Sequence, residues 1–295
     1  MAGIGFLVLA AVAIVGLGIL ESAREQKQFR VTKYQLRMNR ETSGSGKIKI
    51  VFLSDLHNQV YGRENQELYR AIEGEKPDVI LIGGDMLIGK KGVPSEPALQ
   101  FVKKLPHICP VYYANGNHEQ RMKENPNRYK GRYKDYRKRL QKAGVCFLEN
   151  KSVHLPIRGT VICISGLELP LYIYDKFKRH RMEKENIENC IGKAAPDEYQ
   201  ILLAHNPVYF DVYRRWGADL VLSGHLHGGV VRIPGWRGLI SPQFRLFPRY
   251  SGELKRKGDQ AIIVSRGLGT HTIKIRLFNN PEIVSLCLFP KDAGL

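Results

Sequence analysis

Five short polar clusters stand where the chemistry of this chain must lie: Asp55-Leu56-His57, Gly84-Asp85, Gly116-Asn117-His118-Glu119, the single His205, and Gly224-His225-Leu226-His227. Each follows directly on an apolar run. Together they offer two carboxylates (Asp55, Asp85), one amide oxygen (Asn117) and four imidazoles (His57, His205, His225, His227), with His118 beside them. Mixed oxygen and nitrogen donors suit Mn, Fe or Zn, with Mn the first expectation, and argue against a closed structural zinc site, which would favour cysteine. Seven ligands over-supply one ion. The natural arrangement is two divalent ions sharing a carboxylate bridge ~3.5–4 Å apart, a pair that activates water and clamps oxyanions.

The spacing supports this reading. In Asp55-x-His57 and His225-x-His227 an extended backbone would put both side chains on one side, since residues i and i+2 of a strand share a face. Glycines at 84, 116 and 224 would let the backbone turn sharply and come close to the ions. Each piece alone is weak: an Asp-x-His or Gly-Asp pair is usually a turn, and a lone His is usually a satisfied side chain. Five such pieces in this order, each closing an apolar run, are not explained by turns.

The elements that must position them follow from the apolar pattern. Phe29 to Arg37 reads as a first strand and Glu41 to Lys47 as a Ser/Gly turn. Lys47 to Ser54 is a buried strand ending at Asp55, residues 78–83 a second ending at Gly84-Asp85, and Cys109 to Ala114 a third ending at Asn115-Gly116. Helices are expected over Asn65 to Glu73, with Leu68 and Ile72 on one face, and after Ser95, carrying Leu99, Val102 and Leu105. A polar stretch from Arg121 to Lys142 holds ten Lys or Arg against two acids, with Tyr133, Tyr136 and Leu140 at helical spacing. It fits equally a solvated helix with an inward stripe or a basic face toward substrate or lipid. The second half is richer in strands: Val145 to Leu148, Val161 to Ser165, Gln200 to Ala204, Asp219 to Ser223, Ala261 to Val264, Thr272 to Phe278 and Glu282 to Leu288. Strands alternating with helices early and clustering late imply an α/β fold of two packed β-sheets flanked by helices.

The motifs DLH, GD, GNHE, H and GHLH resemble those of the calcineurin-like metallophosphoesterase family over about residues 47 to 230. The tail from Ser265 to His271, with Asn279-Asn280-Pro281-Glu282, resembles a membrane-associated bacterial branch of it. The resemblance implies a four-layer sandwich. It implies one metal held by Asp55, His57, Asp85 and His227, and a second by Asp85, Asn117, His205 and His225, with Asp85 bridging. His118 would face the phosphate as the catalytic residue instead of binding metal, donating a proton to the leaving oxygen or stabilising its charge. Ile88 stands where a longer GDxxD motif has a second Asp, which bears on substrate and not on metal binding. The expected reaction is hydrolysis of a phosphodiester or pyrophosphate, with hydroxide formed from a water between the two ions. A nuclease of the same fold, a pyrophosphatase acting on a nucleotide-linked lipid sugar and a non-enzymatic metal-binding scaffold are the alternatives.

The chain has 295 residues, 43% hydrophobic and 25% charged, which is ordinary globular composition with room for one large core. Its 46 Lys+Arg against 28 Asp+Glu give a formal +18, a field that draws phosphorylated substrates, anionic lipid or nucleic acid. The five cysteines form no metal or redox spacing. Cys109, Cys146, Cys163 and Cys287 sit in apolar stretches and read as small core residues in a reducing compartment. Ala2 to Leu20 carries no charge and would span roughly 28 Å as a helix, enough to cross a bilayer. No Lys or Arg precedes it and Arg24, Lys27, Arg30, Lys33, Arg37 and Arg40 follow it, which favours an uncleaved membrane anchor with the large domain in the cytoplasm. The expected organisation is a transmembrane anchor over 1–22, a basic juxtamembrane segment and first strand over 23–46, and a phosphoesterase domain over 47–295.

Overall fold

The computed structural model describes residues 2–41, 44, 46–175, 178, 180–233, 238–240, 246–270 and 274–291. The first half runs α1 (Ala2–Glu25), β1 (Arg30–Arg37), β2 (Ile48–Leu53), α2 (Gln66–Glu75), β3 (Val79–Ile82), α3 (Glu96–Val102), β4 (Val111–Tyr113), α4 (Asn117–Glu124), α5 (Arg132–Lys142) and β5 (Val145–Phe147). The second half runs β6 (Lys151–Ile157), β7 (Thr160–Leu167), α6 (Lys184–Ile191), β8 (Tyr199–Ala204), α7 (Phe210–Trp216), β9 (Leu220–Ser223), β10 (Val231–Arg232), β11 (Gly238–Ile240), β12 (Leu254–Lys257), β13 (Gln260–Val264) and β14 (Glu282–Phe289).

Two six-stranded sheets result, in the orders β1-β14-β2-β3-β4-β5 and β12-β13-β9-β8-β7-β6, with β10 and β11 as a separate pair. Strands β2 to β5 run parallel, as do β13, β9, β8 and β7. The strand parity decides the layers. Ile48, Ile50 and Phe52 of β2 meet Ile201 and Leu203 of β8 and Leu220 and Leu222 of β9 between the sheets. The alternate residues Val51 and Leu53 face α2, α3 and α5, while Leu202, Ala204 and Val221 face α6 and α7. Both faces of these strands are covered, so they read as continuous apolar runs and not as alternating ones. Phe52, fully buried between the sheets, is a position where truncation to Ala would cost about 3–5 kcal/mol. This is the α/β arrangement of two packed, helix-flanked sheets that the sequence implies, with one long apolar N-terminal helix in front.

Several local expectations change. No strand forms over residues 274–278, where Leu277 makes a single bridge to Val231; Thr272 and Ile273 lie outside the described residues, as does His271. The alternation there resembles a half-buried strand, but its partner β10 is two residues long and the Arg276 N–H goes to Ser22. Strands β6 and β12 escape a reading by apolar runs because they are sheet edges with half their side chains in water, and β6 carries Pro156, which an edge tolerates. Cys146 is exposed and not in the core: Val145 and Phe147 on either side turn toward α5, leaving Cys146 on the uncovered face of an edge strand. Cys163 is buried, Cys109 and Cys287 half-buried. On α5 the Tyr133, Tyr136 and Leu140 stripe turns inward, and Arg137 and Arg139 pair with Glu149 and Glu96.

Candidate metal centre

Parallel strands share a direction, so the C-terminal ends of β2, β3 and β4 in one sheet and of β8 and β9 in the other gather loops at one end of the sandwich. The backbone there is not extended. Asp55 (φ 53°), His57 (φ 47°), Asp85 (φ 54°), His225 (φ 72°) and His227 (φ 50°) all adopt the left-handed conformation. This corrects the extended-segment reading of Asp-x-His and His-x-His. Each ligand folds back from its strand into the seam between sheets, at a conformational cost that clusters at functional sites. The glycines act mainly through close approach. A Cβ on Gly116 would overlap Asp85 Oδ1, and one on Gly224 would overlap Ser54 Oγ and Asp55 Oδ2. Gly84 is pressed against Gly116 and also needs its positive φ of 88°.

Six of the seven expected ligands and His118 are brought together, and Asn117 precedes His118 at the start of α4; all are buried except the half-buried His225. Asp55, His57 and His227 form one group and Asp85, His205 and His225 another. His227 Nε2 lies 3.3 Å from Asp55 Oδ1 and 3.2 Å from His57 Nε2. His205 Nε2 lies 3.2 Å from Asp85 Oδ2 and 3.7 Å from Asp55 Oδ1, and His57 Nε2 is 3.8 Å from both carboxylates. Asn117 Oδ1 is buried and has no hydrogen-bond partner among the described residues, an orphaned acceptor of the kind a cation satisfies. Two carboxylates, an amide oxygen and converging imidazole nitrogens therefore fit divalent ions of the Mn, Fe or Zn type.

Hydrogen bonds from behind set which nitrogen each ring presents. His205 Nδ1 faces Gly83 O at 2.7 Å and His227 Nδ1 faces Gly269 O at 2.8 Å. A carbonyl only accepts, so Nδ1 carries the proton, and in the neutral ring Nε2 turns its lone pair inward. His118 is wired the other way. Gly89 N–H donates to His118 Nδ1 at 2.8 Å, so in the neutral ring Nε2 carries the proton. By distance His118 also groups with His57 and Asp85, its Nε2 being 3.9 Å from Asp85 Oδ2. In that tautomer the Nε2 atom of His118 offers an N–H where His205 and His227 can offer a lone pair.

The charges are strongly perturbed in the metal-free site. Burial pushes Asp55 up to about 6, helped by the Asp85 charge and opposed by His205, the Ser54 hydroxyl and the His225 N–H. Burial acts on Asp85 in the same sense, but His205, His118 and His57 outweigh it and hold its carboxyl well below the usual range. Burial alone would lower His205; Asp85 and Asp55 instead lift it to about 10.

Further residues brace the candidate ligands. Glu119, buried and raised to about 7 chiefly by burial, accepts from Asp85 N–H (2.8 Å), Met86 N–H (2.9 Å), Gly116 N–H (3.2 Å) and the Tyr113 hydroxyl (2.7 Å). It ties the Asp85 and Asn117 loops into one unit, a bracing role that its place at the end of the GNHE motif does not itself reveal. Tyr174 packs its ring on His225 and, more loosely, His205. Glu282 accepts from Arg266 N–H and the Thr32 hydroxyl, and Leu268 and Gly269 N–H bind Ser54 O and Asp55 O, so the tail motif braces the first ligand loop.

A family model for the calcineurin-like phosphoesterases matches residues 48–229. The uncharacterized protein YpbG of Bacillus subtilis is 30% identical over 83% of this chain and 83% of its own length. The phosphodiesterase YaeI of Escherichia coli is 26% identical over 88% of this chain and 87% of its own. A bovine transmembrane protein with a metallophosphoesterase domain is 27% identical over 95% of this chain and 61% of its own length.

Proposed function

Because the chain belongs to the calcineurin-like phosphoesterase family, we infer that it hydrolyses a phosphodiester or pyrophosphate at a dinuclear centre held by Asp55, His57, Asp85 and His227 on one side and Asp85, Asn117, His205 and His225 on the other. The observation that carries this reading is the opposed wiring of the histidines: carbonyls behind His205 and His227 turn Nε2 lone pairs inward, while the Gly89 amide behind His118 turns an Nε2–H inward. Two divalent ions, Mn first and Fe or Zn next, would supply a lowered water pKa and neutralisation of phosphate charge. The protein supplies the rest. Asp85 stays ionised, and its Oδ1 accepts the backbone N–H of His118 at 2.8 Å, which ties the proposed shared ligand to the backbone of the proposed proton donor. In this reading His118 Nε2–H would supply the proton that the leaving oxygen needs.

The setting favours a membrane. Helix α1 is long and apolar enough to cross one, a bovine relative is named as a transmembrane protein, and the basic collar from Arg24 to Arg40 suits an inner leaflet. We place residues 1–22 as the anchor, 23–46 as the collar and first strand, and 47–295 as the catalytic domain in the cytoplasm, acting on a lipid-linked phosphoester. Labelling of the exposed Cys146 or Cys190 in intact cells by a membrane-impermeant reagent would overturn that side. The formal +18 also suits a nuclease of this fold. The deciding experiment loads purified full-length protein with Mn, Fe, Zn or Mg. It then offers a nitrophenyl diester, a nitrophenyl monoester, a pyrophosphate diester and DNA. Chelator-sensitive cleavage of the diester or pyrophosphate is expected. Cleavage of DNA alone, with steep salt dependence, would turn the reading to a nuclease. No cleavage with any ion would leave a metal-binding scaffold.

A further inference from the structure

The last turn of α1 is built into the catalytic domain. Ser22 and Glu25 are buried, although the described side chains earlier in the helix are nearly all exposed. Three residues apart, they share one helix face. Ser22 Oγ accepts from Arg276 N–H at 3.0 Å, and Glu25 Oε2 accepts from Asn279 N–H at 2.9 Å. Gln26 Nε2 adds a bond to Lys274 O at 3.0 Å.

Those partners reach His227 in one further step. The Asn279 side-chain amide donates to His227 O at 2.7 Å and to Gly229 O at 2.6 Å. The buried Arg276 guanidinium donates to Asn279 O (3.2 Å), Arg266 O (2.9 Å) and Gly269 O (2.8 Å). Gly269 O is the acceptor that fixes the ring proton of His227. The backbone carbonyl of His227 is thus held by Asn279, which the helix end holds directly, and its Nδ1–H by Gly269, which is tied to the helix end through Arg276.

We propose that Glu25 and Ser22 are positioning residues for His227, so that the metal position containing His227 is fully formed only when the end of α1 is seated against residues 274–280. The physical reason is that these groups are buried. Without the Glu25 carboxylate, the Asn279 N–H is left with no acceptor away from water, and the segment that orients His227 relaxes toward other partners. Outer partners of metal ligands commonly change metal affinity 10–100-fold. The proposal rests on reading His227 as a ligand, and its test separates the two ideas.

The test uses full-length protein in detergent micelles, as Glu25→Ala, Ser22→Ala and Glu25→Gln. Glu25→Ala should lower the affinity of one of two Mn ions by about 10–100-fold and leave the other unchanged. In metal-free protein it should speed amide exchange over residues 227–229. Ser22→Ala should do the same more weakly. Glu25→Gln, whose amide oxygen still accepts the Asn279 N–H, should restore both readouts. Unchanged Mn affinity and unchanged exchange in Glu25→Ala would overturn the proposal. So would equal weakening of both ions with exchange raised throughout the domain, the mark of a general loss of stability. His227→Ala checks the ligand reading alone: if it keeps both ions at full affinity, that reading fails, while the exchange data still report on the brace.

Discussion

Among the described residues, two places gather metal-type side chains, and they are built differently. The strand-end cluster around Asp85 joins ligands from both sheets. At the edge of the second sheet, His154, Cys163 and Glu198 also bring their ligand atoms within 4.8 Å of one another. There His154 and Cys163 face each other across β6 and β7, and His154 Nδ1 is already paired with Glu198 Oε2 at 2.6 Å. The His154 side chain is 58% exposed. Burial pushes the Cys163 thiol up, away from the thiolate a metal needs. At the strand ends, His205 and His227 are each held from behind by a carbonyl, the carboxylates face histidines, and Asn117 Oδ1 is left unpartnered. Proximity of the right residue types is therefore not what makes a centre. Orientation from behind, in a buried setting, is.

That comparison can be broken at several points. The largest effect is expected from Asp85→Asn, which removes the charge of the proposed bridging ligand. At least one ion should be lost on metal analysis and hydrolysis should fall below detection; two full sites with wild-type turnover would refute the bridging assignment. Next, His118→Ala should keep its metals while turnover drops ~10²–10⁴-fold, the range for a positioned proton donor. The loss should shrink for nitrophenyl leaving groups, which need little protonation. Loss of metal instead would make His118 a ligand and undo the reading of its hydrogen bond.

The pH dependence sharpens the same contrast. With His205 lifted to about 10 in the metal-free site, it holds a proton that a metal must displace. Affinity should therefore fall about tenfold per unit as pH drops through the neutral range, one proton per ion bound. Below about 6, where Asp55 also takes up a proton, the fall should steepen. Competition titrations with a chelating dye would read it, and a flat profile would contradict the charge arrangement. The smallest effect belongs to the other cluster. His154→Ala breaks an exposed pair worth about 0–1 kcal/mol and should change neither metal content nor turnover. An ion lost from that variant would show that the sheet edge is a site after all.

Much of this was legible before any fold was known. Apolar runs such as residues 78–82 and 200–204 are local signals, and both end at a ligand because buried parallel strands must leave the core where polar side chains become possible. Edge strands β6 and β12 lacked that signal, and residues 274–278 carried it without forming a strand, because pairing depends on what lies alongside and not on the segment itself.

The sequence alone determined the ligand types, their order and the two-sheet class, since composition and short periodicity depend on neighbours in the chain. The tertiary structure decided how each candidate ligand is presented. It turned Asp55, His57, Asp85, His225 and His227 into the left-handed region, opposed His118 to His205 and His227, and seated Glu25 behind the metal loop. The deciding bonds join residues 29 (Gly89 to His118), 42 (His227 to Gly269) and 254 (Glu25 to Asn279) positions apart, and a hydrogen bond's polarity is written only where its two partners meet.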